Sequence, residues 1–177
     1  RGSFDSLNQF ILKGIPAAGL DYIYQSLLKQ SLDEPFTAYG LIADKIMISE
    51  DMTSVIFLLN PNAKWHDQKS LTAEDVKWTF DTLISKGHPY YKSYFSDIKN
   101  AEIVDNTTIK FNFKKSTNRE LPLIIGQIKI LPKHFWKKNN FNSSGLTIPL
   151  GSGPYKILKA DPGKMILYKK KMCSYLM

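Results

Sequence analysis

Cysteine is nearly missing from this chain of 177 residues: the single one, Cys173, stands close to the end. That excludes an internal disulfide framework and any metal site built on cysteines. Such usage fits the cytosol and the bacterial periplasm equally. Long apolar runs are missing too. The longest, Val55-Ile56-Phe57-Leu58-Leu59, is far too short to cross a bilayer and reads as a strand. Histidine is scarce, with His66, His88 and His134 in three separate segments. None has a second histidine or carboxylate at metal-ligand spacing. The chain opens on Arg1 rather than methionine and shows no signal peptide. It is therefore expected to be a mature product or a fragment.

Hydrophobic residues make up 43% of the chain and aromatics 12%, enough for a packed core and against disorder. The 24 basic residues outnumber the 16 acidic ones, for a formal charge of +8. A surplus of this size raises nucleic acid, an acidic membrane surface or an acidic substrate as partners. The lysines are scattered, however. Their densest runs, Lys114-Lys115, Lys137-Lys138 and Lys169-Lys170-Lys171, sit beside turns or near the chain end. No helix face gathers basic residues with interleaved aromatics, and no nucleic-acid motif appears, so no nucleic-acid partner is expected.

Periodicity gives a mixed α/β reading. Phe10-Ile11-Leu12 reads as a short extended piece, broken by Gly14 and Pro16. Leu20, Ile23, Tyr24, Leu27 and Leu28 fall on one helical stripe, which predicts a helix from Ala17 to about Lys29. Lys45–Ile48 and Ser54–Asn60 read as a hairpin around Ser49-Glu50-Asp51. The clearest helix start is Thr72, with Asp75 at capping-box spacing and Leu71/Val76 as a hydrophobic staple. Lys86 and Gly87 mark its end. Two strands follow, Ala101–Val104 and Thr108–Phe113. In the second, Ile109, Phe111 and Phe113 alternate with polar residues, so one face is wet. Pro132–Lys138 reads as a short helix, and Tyr155–Ala160 with Met165–Lys170 as a hairpin around Asp161-Pro162-Gly163. The fold class expected is α/β, with mixed, mostly antiparallel sheets and a few helices.

The polar constellations argue against catalysis. His66-Asp67 reads as a loop with an Asx-type turn. Ser152 lies in Gly-Ser-Gly-Pro-Tyr before a strand, not in the Gly-x-Ser-x-Gly elbow before a helix that a nucleophile needs. The same loop lacks the lysine and the following helix of a phosphate cradle. Tyr90, Tyr91, Tyr94 and Phe95 form a cluster that suits core packing or the wall of a groove for an extended ligand.

Several segments together resemble one family. Trp65-His66-Asp67-Gln68-Lys69-Ser70-Leu71-Thr72-Ala73-Glu74-Asp75-Val76 is similar to the signature of the family 5 extracellular solute-binding proteins, the dipeptide and oligopeptide receptors of ABC importers. Gly151-Ser152-Gly153-Pro154-Tyr155 is similar as well. Gly2-Ser3-Phe4-Asp5-Ser6-Leu7-Asn8, Asp33-Glu34-Pro35, Tyr39-Gly40-Leu41-Ile42-Ala43, Asn118-Arg119-Glu120-Leu121-Pro122-Leu123-Ile124 and Leu131-Pro132-Lys133-His134 resemble the YejA-like branch, whose members take up oligopeptides and peptide-nucleotide antibiotics. The resemblance runs in order from Gly2 to about Tyr168. It departs at Gln68, where the family has glycine, and at Gln9, where it usually has proline.

The resemblance implies a substrate-binding component of an ABC transporter, not an enzyme, without cofactor or metal. It would capture peptides in the periplasm and hand them to an inner-membrane permease. It also implies the N-terminal lobe of a type II (cluster C) periplasmic binding protein, truncated. Residues 1–40 would start the main lobe, 41–146 form the inserted subdomain, and 147–177 return to the main lobe with a divergent tail from about 169. Relatives are longer and close a second lobe over the ligand, so a split or frameshifted gene is the expected origin. Lys13, Gly14 and Ile15 match the segment that pairs with the peptide backbone in peptide-binding relatives; Tyr91 and Tyr94 would supply a wall. Two other classes stay open: a small basic RNA-binding protein, and a hydrolase built on Ser152.

Overall fold

The structure, a computed structural model, describes residues 3–35, 37–114 and 118–171. Gly2, Cys173 and the last part of the divergent tail lie outside the described residues. The helical stripe foreseen from Ala17 does not become a helix. Only one 3-10 turn forms, Leu20–Ile23, and the chain then runs extended into β1, Leu28–Gln30. The reason is burial on every side. Ile23 to Leu28 are all buried, including Gln25 and Ser26, which a helix would have turned outward. Their backbone groups are taken by distant segments instead. Gly153 donates to the Ile23 carbonyl (2.8 Å), Ile130 to Gln25 (2.9 Å) and Ile42 to Ser26 (3.2 Å). Non-local pairing overrides local periodicity here. Phe10-Ile11-Leu12, expected to be extended, is a bend outside any strand.

β1 pairs antiparallel with β2, Ala38–Gly40. The main sheet holds β3 (Ala43–Ile48), β4 (Ser54–Leu59), β5 (Ile98–Asp105) and β6 (Thr108–Phe113) in the order β3-β4-β6-β5, all antiparallel. Both expected strand pairs are present. Val55, Phe57, Ile109 and Phe111 share the core face, and all are fully buried. Helix α1, Ala73–Lys86, packs on that sheet with Val76, Phe80 and Leu83 inward. Its cap is the expected one: Thr72 and Asp75 form a capping box, and the Thr72 N–H donates to Asp75 Oδ2 at 3.1 Å.

Three shorter helices follow: α2, Pro89–Tyr94; α3, Leu121–Gly126; and α4, Lys133–Trp136. The chain closes with the hairpin β7, Tyr155–Asp161, and β8, Met165–Lys170. That hairpin packs against the first turn of the chain, where the Tyr168 hydroxyl donates to the Ala18 carbonyl at 2.6 Å. Among the described residues no helix is long and apolar enough to cross a membrane.

Candidate ligand-binding wall

The signature segment folds around one buried carboxylate. Asp75 is 6% exposed and carries more than its cap. Its Oδ1 accepts the Lys133 N–H (2.9 Å) and its Oδ2 accepts the Trp65 indole N–H (3.3 Å). Thr79 extends the junction: its hydroxyl donates to the Asp75 carbonyl (2.7 Å) and accepts the Leu131 N–H (2.9 Å). Outside it, Lys133 pairs with Glu74, and the His134 Nε2 donates to Asp67 Oδ2 at 2.9 Å. Partial burial alone would raise the Asp67 pKa. The hydrogen bonds from His134 and the Lys69 backbone, with the nearby charges, outweigh that and hold the carboxyl below its ordinary value. These residues lock two segments together.

Gln68 has φ +70°, in the left-handed region that favours glycine. Beside it, His66 clamps the Gly-Ser-Gly loop. Its backbone N–H donates to Gly151 (2.9 Å) and its Nε2 to Gly153 (2.8 Å). Burial pushes the His66 pKa down, against the pull of the Gly153 carbonyl. The two glycines are required by packing: a Cβ on either would collide with the backbone of Tyr22–Ile23. Ser152 between them is 2% exposed, and its hydroxyl makes no hydrogen bond among the described residues. The His66 nitrogen that faces this loop is engaged by Gly153. The loop is a joint between chain segments and holds no Ser–His pair. No group of three or more metal-ligating side chains occurs among the described residues.

The other candidate residues lie elsewhere. Lys13, Gly14 and Ile15 form an exposed bend with Ile15 58% exposed. Gly14 has φ +80°, and a Cβ there would lie 2.7 Å from Asp5 Oδ1. Its lack of a side chain is thus already required by the chain's own packing. Ile15 is tied inward: its N–H donates to Asp5 Oδ1 (2.6 Å), and its carbonyl accepts from Asp5 (3.1 Å) and Ser6 (3.2 Å). From Ile11 to Gly14 the backbone N–H and C=O groups have no partner among the described residues.

Helix α2 carries the tyrosines to the same region. Pro89 at its start fits the first turn, and the His88 Nδ1 accepts the Tyr90 N–H at 3.1 Å. The His88 N–H donates to the Phe10 carbonyl at 2.7 Å, which fixes α2 beside the bend. Tyr91 is half-buried and stacks on Phe95 with ring centroids 6.2 Å apart. Burial first, then Tyr90 and Asp21, push its pKa up. Tyr90 and Tyr94 stay exposed, with centroids 5.4 Å apart. Gln9 and Asp21 also meet, the Gln9 amide donating to Asp21 Oδ1 at 2.9 Å. No local signal links them.

The fold class this arrangement defines is that of the type II periplasmic binding proteins. The chain superposes on NikZ of Campylobacter jejuni, a structure in complex with Ni(L-His), with a TM-score of 0.81 and 25% identity, over 100% of this chain and 35% of that one. It superposes on a dipeptide-binding protein of Pseudoalteromonas sp. SM9913 in complex with Met-Leu with a TM-score of 0.79 and 20% identity, over 99% of this chain and 39% of that one. The model of the bacterial extracellular solute-binding proteins, family 5 Middle, matches residues 37–172, and the chain belongs to that family. A putative binding protein of Brucella melitensis is 41% identical over 179 residues, and a probable peptide-binding protein YejA of Agrobacterium fabrum is 36% identical over 177. Each match covers 96% of this chain and 29% of the relative's length.

Proposed function

We propose that this chain supplies one wall of an oligopeptide receptor, the substrate-binding component of a periplasmic ABC importer. Residues 41–146 would be the inserted subdomain; 1–40 and 147–177 would belong to the main lobe. The observation that carries the reading is the backbone from Ile11 to Gly14, which has no hydrogen-bond partner among the described residues, close to the helix that holds the exposed Tyr90 and Tyr94. An extended peptide adds to such an edge through main-chain bonds, which recognise length and direction rather than side chains. Lys13 and Gly14 would offer those bonds, with Ile15 anchoring the bend from behind; Tyr91 and Tyr94 would flank the ligand. The Agrobacterium fabrum relative, a probable peptide-binding protein, agrees with a peptide ligand. Delivery to an inner-membrane permease follows from the family reading.

The test is an amide NMR titration of the chain with a tetra-alanine peptide at millimolar concentration. Shifts confined to Ile11–Ile15 and α2 support the wall. Shifts that leave this region untouched overturn it.

A further inference from the structure

Between α1, the end of α2 and the start of β5 the surface dips into a cavity of about 470 Å³. None of the residues proposed for the peptide wall lines it. Its floor is apolar: Phe80, Phe95 and Ile98 are buried, and Ile84 is half-buried beside them. The Phe80 and Phe95 ring centroids stand 6.1 Å apart, which closes the floor between the two helices. A volume of this size suits a small ligand, and an apolar floor under a few polar groups is the usual build of such a site.

The rim is basic. Lys92 comes from α2, Lys99 from β5 and Lys114 from the residue after β6. Two backbone features bring them to one cavity. The Lys114 N–H donates to the Asp97 carbonyl at 2.8 Å, which draws the end of β6 to the start of β5. In β5, Ile98 faces Phe113 and Asn100 faces Asn112, so Lys99 is an extra residue between them. Such a bulge re-aims a side chain. Ile98, Lys99 and Asn100 consequently all line the cavity, although consecutive strand residues ordinarily point to opposite faces. None of the three lysines pairs with a carboxylate among the described residues. The acids nearby do not balance them. Asp81, on the rim, is held by Lys77 at 2.8 Å, Glu102 accepts from the Asn100 amide at 3.0 Å, and Asp97 is not part of the lining.

We propose that this cavity binds a small organic phosphate, a phosphate monoester on an aromatic or aliphatic body. Three unpaired ammonium groups around one cavity are left largely unbalanced by a single carboxylate. A phosphate monoester brings about two negative charges near neutral pH and three strong acceptor oxygens. Lysine suits this role: it is a compact point charge that needs no planar partner, and its bonds to phosphate are charge-assisted. The apolar body rests on Phe80, Ile84 and Ile98, so burial adds to the charge interaction and separates such a ligand from inorganic phosphate. The site is independent of peptide binding.

The experiment is a methyl and amide NMR titration of the whole chain at low salt with phenyl phosphate, inorganic phosphate and benzyl alcohol. Phenyl phosphate is expected to shift the Ile84 and Ile98 methyls and to bind more tightly than either of the other two probes. Lys99→Gln is expected to weaken it about fivefold, through loss of one charge-assisted bond in an exposed setting. Lys29→Gln, which removes a charge from exposed β1, is expected to leave it unchanged. Equal weakening by the two variants would reduce the binding to the overall charge of the chain and overturn the proposal. Inorganic phosphate or benzyl alcohol binding as tightly as phenyl phosphate would overturn it, as would Ile84 and Ile98 methyls that stay unmoved throughout the millimolar range.

Discussion

The His134 imidazole donates to the Asp67 carboxylate at 2.9 Å, joining the start of the signature segment to the turn that begins α4. Asp75 makes the parallel connection deeper in, accepting from Lys133 and Trp65. The residues that make this sequence recognisable are thus structural fasteners, and the proposed ligand wall lies apart from them.

Asp75→Asn is expected to destabilise the chain by about 3 kcal/mol. The amide keeps one acceptor and sets its NH2 against donors that stay buried. A urea midpoint close to the parent's would remove Asp75 from the centre of the fold.

Thr72→Ala is expected to cost about 1 kcal/mol through loss of the cap. Thermal and chemical denaturation both read this. An unchanged midpoint would show that Asp75 alone holds the helix start.

Gln68→Gly is expected to stabilise the chain by up to about 1 kcal/mol, because φ +70° strains a residue that carries a Cβ. Gain of backbone freedom in the unfolded chain offsets part of this. A clear loss of stability would mean that the Gln68 side chain does more than occupy a turn.

The clamp on the Gly-Ser-Gly loop is expected to be pH-sensitive. Burial lowers the His66 pKa below its ordinary 6.5. The unfolded chain then takes up a proton before the folded one does. Stability is complete above about pH 6.5 and falls as pH drops through the window below it. Denaturation midpoints from pH 7.5 down to 5 measure the slope, and His66→Gln is expected to flatten it. A parent profile that is already flat across this window would contradict the half-buried neutral clamp.

Much of this architecture was legible in the sequence because it is written locally. The Thr72–Asp75 spacing and the alternation of Ile109, Phe111 and Phe113 carry their own partners nearby. The segment from Ile23 to Leu28 was misread because its stripe describes burial, not conformation. What makes it extended are hydrogen bonds from Ile42, Ile130 and Gly153, none of which local periodicity reveals. The same holds for the proposed wall. The tyrosine cluster and Lys13-Gly14-Ile15 are each visible, but what ties α2 to the bend is the bond from His88 to Phe10. Gly14 shows a further limit: its positive φ and its closeness to Asp5 explain the glycine without a ligand.

If this chain supplies one wall of a peptide site and not the whole of it, its affinity for a free peptide is low. Ordering a flexible peptide costs about 1 kcal/mol or more per residue. Main-chain bonds to an edge open to water return about as much. Closure between two lobes excludes water and strengthens such bonds, but that needs a second lobe. Titration calorimetry of the 177-residue chain with a mixed peptide library measures this directly. The account predicts binding weaker than micromolar, at the edge of detection. Micromolar or tighter binding would contradict it and make this chain a complete receptor.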